Sequence, residues 1–475
     1  MRETSRVSSP PDTARRRSSW TIAALALGTT LNPLNSSMIA VALLSLQHGF
    51  GLDVAGVTWV ITLFYIASTI GQPLMGRVID AFGARRVFCG GMVLVVLAGA
   101  IAPLGALGHS GFWIVLLSRG IMAVGTSVAF PAAVALVGPL AAAGGYTAPR
   151  LLARIQIANT TAAALGPVVG GPLITVAGWP AIFLVNIPLG LAALIGVGRL
   201  APRDARRDGV STSAVIRVLD PPGVATFAVA VVSLLLVVLG AAGDAVWWLL
   251  GVGVLAAGVF VWRELRARAP FIDVRMLAAN RALSLTYVGF TVFSALYYLA
   301  FFGLPQLLES FGGYSTAIVG LLLLPLAGTT VVLAPVVARA IDRRGLSPVI
   351  VATAVLLLLA AGLLGIGVVT TAPGWMLLMA AVMGVPYCMG SLAMTEAVRR
   401  SAPHEAVGVA SGLLQSTRYL GAIIATVVLG RLLATGVDAA TWGGVVVAAV
   451  AIGIVHLAVA LVTAAALRRS GRSRA

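Results

Sequence analysis

The 475-residue sequence contains no lysine, only 15 acidic residues and two cysteines, and charged side chains of either sign make up 10% of it. A soluble domain covers itself with about 25% Asp, Glu, Lys and Arg, so a water-facing globule of this length is excluded. Disorder is excluded with it, because 59% of the residues are hydrophobic and disordered segments are poor in apolar side chains. Cys89 and Cys388 lie within apolar runs, which leaves them as packing residues and offers neither a disulfide framework nor a metal cluster. The sequence has no His/Asp/Glu cluster at metal-ligand spacing and no G-x-x-x-x-G-K-[ST] phosphate loop. Neither a membrane-embedded enzyme nor a pump with its own ATP site is indicated, and no cofactor is expected. A mean hydropathy of +1.02 places the chain in a lipid bilayer.

What is abundant is the apolar run of about 20 residues, the length that crosses a roughly 30 Å hydrocarbon core as a helix. Fourteen such runs are read, near 20–44, 56–75, 87–107, 112–139, 151–177, 181–200, 223–242, 246–262, 283–307, 315–338, 348–370, 374–395, 407–433 and 443–467. The net charge of +17 follows topology and forms no patch for nucleic acid. Of the 32 arginines, 29 fall in segments on one side of the membrane, and only Arg119, Arg418 and Arg431 lie elsewhere. By the positive-inside rule both termini are cytoplasmic, which needs an even number of spans. The first run follows a basic N-terminus without a cleavage pattern and reads as an uncleaved anchor.

The expected organisation is a cytoplasmic tail (1–19), a six-helix bundle (20–200), a cytoplasmic connector (201–222) with a short interfacial helix around Val215 to Leu219, and two inserted spans (223–262). A cytoplasmic loop (263–282), a second six-helix bundle (283–467) and a tail (468–475) complete it. The division into halves rests on an internal repeat: GRVIDAFGARR at 76–86 returns as ARAIDRRG at 338–345, with Asp80 and Asp342 each three residues before Gly83 and Gly345. Each copy follows the second span of its half, as in a duplicated transporter. In such a loop glycine permits close backbone approach and a carboxylate bridges an arginine or a helix N-terminus. Gly76, Asp80, Gly83, Arg85, Asp342 and Gly345 are therefore expected to latch one conformational state.

Over nearly its whole length the chain resembles the fourteen-span drug:proton antiporter family of the major facilitator superfamily. Gly76, Asp80, Gly83 and Arg85 match the superfamily's loop motif, with Ala81 and Ala84 at two of its basic positions. Leu116 and Arg119 fit the fourth-span motif, from which Met122 and Ala123 depart. Span 5 carries ALGPVVGGP, in which Gly166, Pro167, Gly170 and Gly171 match the G-P-x-x-G-G signature associated with antiporters. Small residues there let helices touch along a Pro-kinked ridge. The segments 178–190, 270–277 and 410–421 are also similar to the family's. The resemblance implies an all-α integral membrane protein with the major facilitator fold, its fourteen transmembrane helices arranged as two six-helix pseudo-repeat bundles plus two inserted helices. It further implies a monomer in the bacterial cytoplasmic membrane that exports small amphiphilic drugs or metabolites by alternating access, with protons as the coupling ion.

One departure bears on coupling. In the run LNSSMIAVALL, Asn35 stands where the family has aspartate, and an amide does not titrate near neutral pH. The span map holds no mid-membrane carboxylate in exchange. Coupling then falls to His456, to an end-of-span acid such as Glu309, or to no proton at all, which would make the chain a facilitator. The expected substrate cavity is lined by Asn32, Asn35, Tyr65, Gln156, Asn159, Tyr297, Tyr298 and Gln415, joined by Arg119 and Arg418, whose burial in a membrane is costly without a function. Such a cavity suits neutral or anionic amphiphiles better than lipophilic cations. A non-transporting receptor on the same fold would have no use for the loop and span-5 motifs.

Overall fold

The computed structural model describes residues 12–108, 111–146, 148–204, 220–238, 246–267, 270–402 and 407–472, and among these no strand occurs. Apolar runs in lipid must satisfy every backbone N–H and C=O within their own segment, and the helix does so. The first half comprises α1 (Asp12–Phe50), α2 (Val54–Phe82), α3 (Ala84–Ile101), α4 (Gly111–Ser127), α5 (Ala129–Gly144), α6 (Ala148–Ala177), the short α7 (Ala181–Leu184) and α8 (Asn186–Leu200). Two intervening helices follow, α9 (Pro221–Val238) and α10 (Val246–Glu264). The second half comprises α11 (Val274–Ala279), α12 (Arg281–Gln306), α13 (Thr316–Leu322), α14 (Leu324–Arg344), α15 (Leu346–Leu363), α16 (Ile366–Val369), α17 (Pro373–Ser401), α18 (Val407–Leu432) and α19 (Ala439–Arg472).

Eleven helical stretches among the described residues are long and apolar enough to cross a membrane, or twelve when the bent α6, which turns by 41° between Ile157–Ala163 and Leu165–Ala177, counts as one. Two of the fourteen expected runs fall outside that number. The middle of α1 carries Thr29, Thr30, Asn32, Asn35, Ser36 and Ser37, which lowers its hydropathy although it has 39 residues. The apolar part of α9 is described only over Pro221–Val237. The interfacial helix expected around Val215 to Leu219 lies outside the described residues.

The loop repeat is more helical than expected. Gly76 to Phe82 continue α2, and Arg339 to Arg344 continue α14, each ended by a glycine whose N–H returns to the preceding turn: Gly83 to the Ile79 carbonyl at 2.8 Å and Gly345 to the Ile341 carbonyl at 2.9 Å. The helix therefore runs through the motif until a positive φ (92° at Gly83, 80° at Gly345) stops it, a conformation that glycine adopts without steric cost. These glycines mark the arginine-rich end of the molecule.

The halves meet in a crossed pattern: α2 packs on α18, and α6 packs on α13 and α14. Near the arginine-poor end, the Thr62 and Thr426 hydroxyls are 3.1 Å apart across the first contact. In the second, backbone meets backbone, since a Cβ on Gly320 would lie 2.4 Å from the Pro167 carbonyl oxygen and one on Gly171 2.7 Å from that of Thr316. The intervening pair is pinned to the main body at the opposite end. Arg263 pairs with Asp220 and with Glu264, and Glu264 accepts the Ile272 N–H at 3.0 Å. Phe271 and Ile272 then pack with Phe260 and Phe227 against Leu74 of α2 and Leu413 of α18. Burial opposes the charged form of Asp220, but the Arg263 guanidinium outweighs it and holds the carboxyl below its usual range. Exposed Trp247 and Trp262 stand at the two ends of α10, about 22 Å apart along the axis, as the aromatic belts of a bilayer require.

Candidate functional site

Between the halves, midway along the helices, lies a cavity. α1 contributes Thr29, Asn32, Pro33, Ser36 and Ser37, and α2, α4, α5 and α6 contribute Gln72, Thr126, Phe130, Asn159 and Ala163. The second half supplies Tyr297, Tyr298 and Phe301 from α12, Tyr387 from α17, and Gln415, Arg418 and Tyr419 from α18. Six of the ten residues expected to bind substrate thus lie in one cavity: Asn32, Asn159, Tyr297, Tyr298, Gln415 and Arg418. No carboxylate lines it among the described residues.

Asn32 is a junction between halves. Its Oδ1 accepts the Tyr419 hydroxyl at 2.7 Å and its Nδ2 donates to Thr126 Oγ1 at 3.0 Å. Tyr419 also accepts from Gln72 Nε2 at 3.4 Å, and Ser416 donates to the Thr69 carbonyl at 3.2 Å. Asn159, 8% exposed, keeps an Oδ1 without a hydrogen-bond partner among the described residues. Arg418 sits with its guanidinium carbon 5.3 Å from the centre of the Phe290 ring.

The other four expected binding residues take different places. Asn35 turns away from the cavity toward α8, where it and Asn186 exchange two hydrogen bonds, at 2.5 and 2.9 Å. Tyr65 is fully buried behind the cavity wall, stacked on Tyr419 at 5.3 Å and beside Tyr298 at 5.8 Å. Arg119, 1% exposed, donates from Nε to the Val60 carbonyl at 3.1 Å and covers the Phe64 ring at 4.2 Å, with Nη2 unpartnered and no acid beside it among the described residues. Gln156 occupies α6 three residues before Asn159, and its side chain lies outside the described set. Tyr387, Tyr419, Gln72 and Thr126 were not read from sequence as lining residues. Tyr419 directly follows Arg418 in a segment already singled out, but nothing local marks Tyr387.

The span-5 ridge does what small residues permit. A Cβ on Gly166 would lie 1.7 Å from Ser37 Oγ, and one on Gly170 3.1 Å from Val41, so one face of α6 rests on α1 while Pro167 and Gly171 meet the second half. The two loop motifs differ. Asp204, unremarked in the sequence, accepts the Arg85 and Arg86 backbone N–H groups at 3.0 and 2.9 Å and fills the space beside Gly83, where a Cβ would lie 2.4 Å from its carboxyl carbon. The Arg85 side chain reaches the Gly198 carbonyl. Among the described residues no neighbouring element comes within 4 Å of a Cβ at Gly345 or at Gly76, and Asp342 is exposed. Asp80 lies on the last turns of α2, and its side chain is outside the described set.

The two coupling candidates lie outside the cavity. Glu309 is buried in a π-turn, Leu307–Phe311, that extends α12 at the arginine-poor end, and its Oε1 is unpartnered among the described residues. His456 is buried between α12 and α19, 5.8 Å from Phe293, with neither ring nitrogen hydrogen-bonded among the described residues. No group of three or more His, Cys, Asp or Glu able to hold a metal occurs among the described residues.

Known proteins place this architecture. Residues 25–426 match the Major Facilitator Superfamily. The uncharacterized MFS-type transporter YwoD of Bacillus subtilis (strain 168) is 38% identical over 422 residues, which cover 88% of this chain and 91% of that protein. The tetracenomycin C resistance and export protein of Streptomyces glaucescens is 30% identical, over 92% of this chain and 80% of that protein. Among solved structures, a bacterial homologue of the human lysosomal transporter Spinster superimposes with a TM-score of 0.63 at 14% identity, covering 95% of this chain and 98% of that one. The nucleoside transporter NupG gives a TM-score of 0.60 at 12% identity, over 94% and 98%. The chain belongs to the Major Facilitator Superfamily, as a multi-pass membrane transporter of small molecules and not an enzyme.

Proposed function

We propose that this transporter is a fourteen-span exporter of small amphiphilic molecules, of the drug:proton antiporter type, working by alternating access as a monomer in the bacterial cytoplasmic membrane with both termini inside. The observation that carries the reading is the cavity at the junction of the halves, polar and aromatic, closed toward the arginine-poor end by the α6–α13 and α2–α18 contacts. With α1 and α9 counted beside the twelve apolar stretches, the spans number fourteen and the arginine-rich end is cytoplasmic. The resistance and export named for the Streptomyces relative agrees with outward transport. Binding residues are those of the cavity, and the glycine-ended motifs of α2 and α14 act at the cytoplasmic gate. Protons enter through Glu309 or His456.

A second reading is an uncoupled facilitator, or an exporter of neutral and anionic compounds that needs no proton. It is favoured by Asn35, whose amide is committed to Asn186, and by a cavity that no acid lines among the described residues. Reconstitution in liposomes loaded with a pH-sensitive dye separates the two. Substrate-dependent proton movement in the unmodified protein establishes antiport. Substrate flux with no proton movement, which then appears in Asn35→Asp, establishes the facilitator. Absence of flux for every amphiphile tested rejects both.

A further inference from the structure

The second half lines the cavity with one end of an ordered column of rings. Phe290, Phe293, Tyr387, Tyr297 and Phe301 follow one another at centroid separations of 5.7, 6.4, 3.9 and 5.5 Å, with successive planes inclined by 10°, 9°, 15° and 21°. Three of these rings, Tyr387, Tyr297 and Phe301, line the cavity. The Arg418 guanidinium caps the Phe290 end of the same column and opens to the same cavity. It has no hydrogen-bond or carboxylate partner among the described residues, so its planar fork of donors is unspent. Across from it, on the first half, Asn159 presents an unpartnered acceptor, Oδ1, from a side chain that is more than nine-tenths buried.

We infer that the substrate is a planar aromatic acid: a fused-ring molecule that lies across the edges of the stacked Tyr297 and Tyr387 rings, whose carboxylate or acidic phenolate is held by Arg418, and whose hydroxyl donates to Asn159. This deepens the exporter reading and rests on it. Tyr297 and Tyr387 cover each other's faces at 3.9 Å, so a guest spanning both meets their electropositive edges, which attract the face of a flat aromatic ring, and a guanidinium sheltered from water binds an oxyanion through two short charge-assisted hydrogen bonds. A cation of the same shape meets one positive charge and no compensating carboxylate. The Arg119 guanidinium does not compete for the anion, because it is shut behind Phe64 and bonded to Val60.

The test uses the full chain in lipid nanodiscs and three fluorescent probes with one ring system: anthracene-2-carboxylate, its carboxamide and its trimethylammonium analogue, followed by polarisation. The acid is expected to bind more tightly than either analogue by about tenfold or more, the worth of a charged hydrogen bond. Arg418→Gln should remove that preference while leaving the carboxamide bound as before, which also reports that the variant is folded. If Arg418→Gln loses the carboxamide too, Arg418→Lys decides, since a retained charge without the planar fork should keep part of the preference. Tyr387→Ala should weaken all three probes by about three- to tenfold, and Tyr387→Phe none of them. Equal binding of acid and trimethylammonium probes, or an acid preference that survives in Arg418→Gln, overturns the assignment. Liposome flux of the trimethylammonium probe without flux of the acid overturns the substrate class and leaves the exporter standing, whereas no flux of any probe or other amphiphile removes the exporter reading itself.

Discussion

Asn35 and Asn186 hold each other through both ends of their amides, α1 donating at 2.5 Å and α8 at 2.9 Å. Asn186 also donates to the Ile182 and Phe183 carbonyls of its own turn, and Asn35 to that of Leu31, so the pair ties two helices of the first half together. Asn35→Ala would leave the Asn186 Oδ1 unpaired in a buried site. Its expected cost is about 1 kcal/mol, the usual scale of one interhelical hydrogen bond in a membrane protein, read as a lower unfolding midpoint in detergent. The Asn35→Ala/Asn186→Ala double variant should lose less than the two single losses added together, and strict additivity would show that the pair does not act as a unit.

The contact at the arginine-poor end predicts a conformational phenotype. Gly320→Ala places a methyl group 2.4 Å from the Pro167 carbonyl, and overpacking of this kind costs about 1–3 kcal/mol. The closed contact should therefore part more often. With Cys89 and Cys388 replaced by serine, a cysteine introduced in place of Thr62 should react faster with an impermeant thiol reagent in the Gly320→Ala background than without it. Gly328→Ala, on the same span with no neighbouring element within 4 Å of the added carbon among the described residues, should leave the rate unchanged.

The two loop copies should respond unequally to the same change. Alanine at Gly83 meets both a φ of 92° and the Asp204 carboxylate, whereas alanine at Gly345 meets only a φ of 80°. Gly83→Ala should destabilise the protein more than Gly345→Ala. Asp204→Ala should itself cost about 1 kcal/mol through the lost cap on α3, and in that background the two glycine substitutions should become nearly equal. Thermal melts of the five variants in one detergent test this.

Coupling can be assigned by two substitutions read in the pH-dye assay. Glu309→Gln should abolish substrate-linked proton movement and leave substrate binding intact, since Glu309 lies at the end of α12 outside the cavity. His456→Phe, which places a ring beside Phe293, should keep both. Proton movement that persists in Glu309→Gln and fails in His456→Phe reverses the assignment.

The helices, the repeated motif and six of the residues that line the cavity were legible in the sequence because each is written in a local pattern: apolar length, a glycine-ended turn, and polar residues in otherwise apolar runs. What was not legible depends on rotation about a helix axis. Asn32 and Asn35 are three residues apart, which turns them about 60° from each other, and that angle sends one to the cavity and the other to α8. Hydropathy under-reads α1 for a related reason, since the polar residues that lower its score are the ones its neighbours bury. Tyr387 and Asp204 were missed because their partners, Tyr297 and Gly83, lie 90 or more positions away along the chain.

The α6–α13 contact has an electrical consequence. Where Gly171, Pro167 and Gly320 meet the facing helix it is backbone against backbone, with no charged side chain among the described residues that touch there. A membrane voltage does work only on charge that moves through it, about 2.3 kcal/mol per elementary charge per 100 mV. Parting these surfaces moves none, so the seal is blind to the field that energises the membrane. Any voltage sensitivity of the transport cycle has to enter through charges carried elsewhere, Arg119, Arg418 and a proton taken up at Glu309 or His456, and through the charge of whatever molecule occupies the cavity.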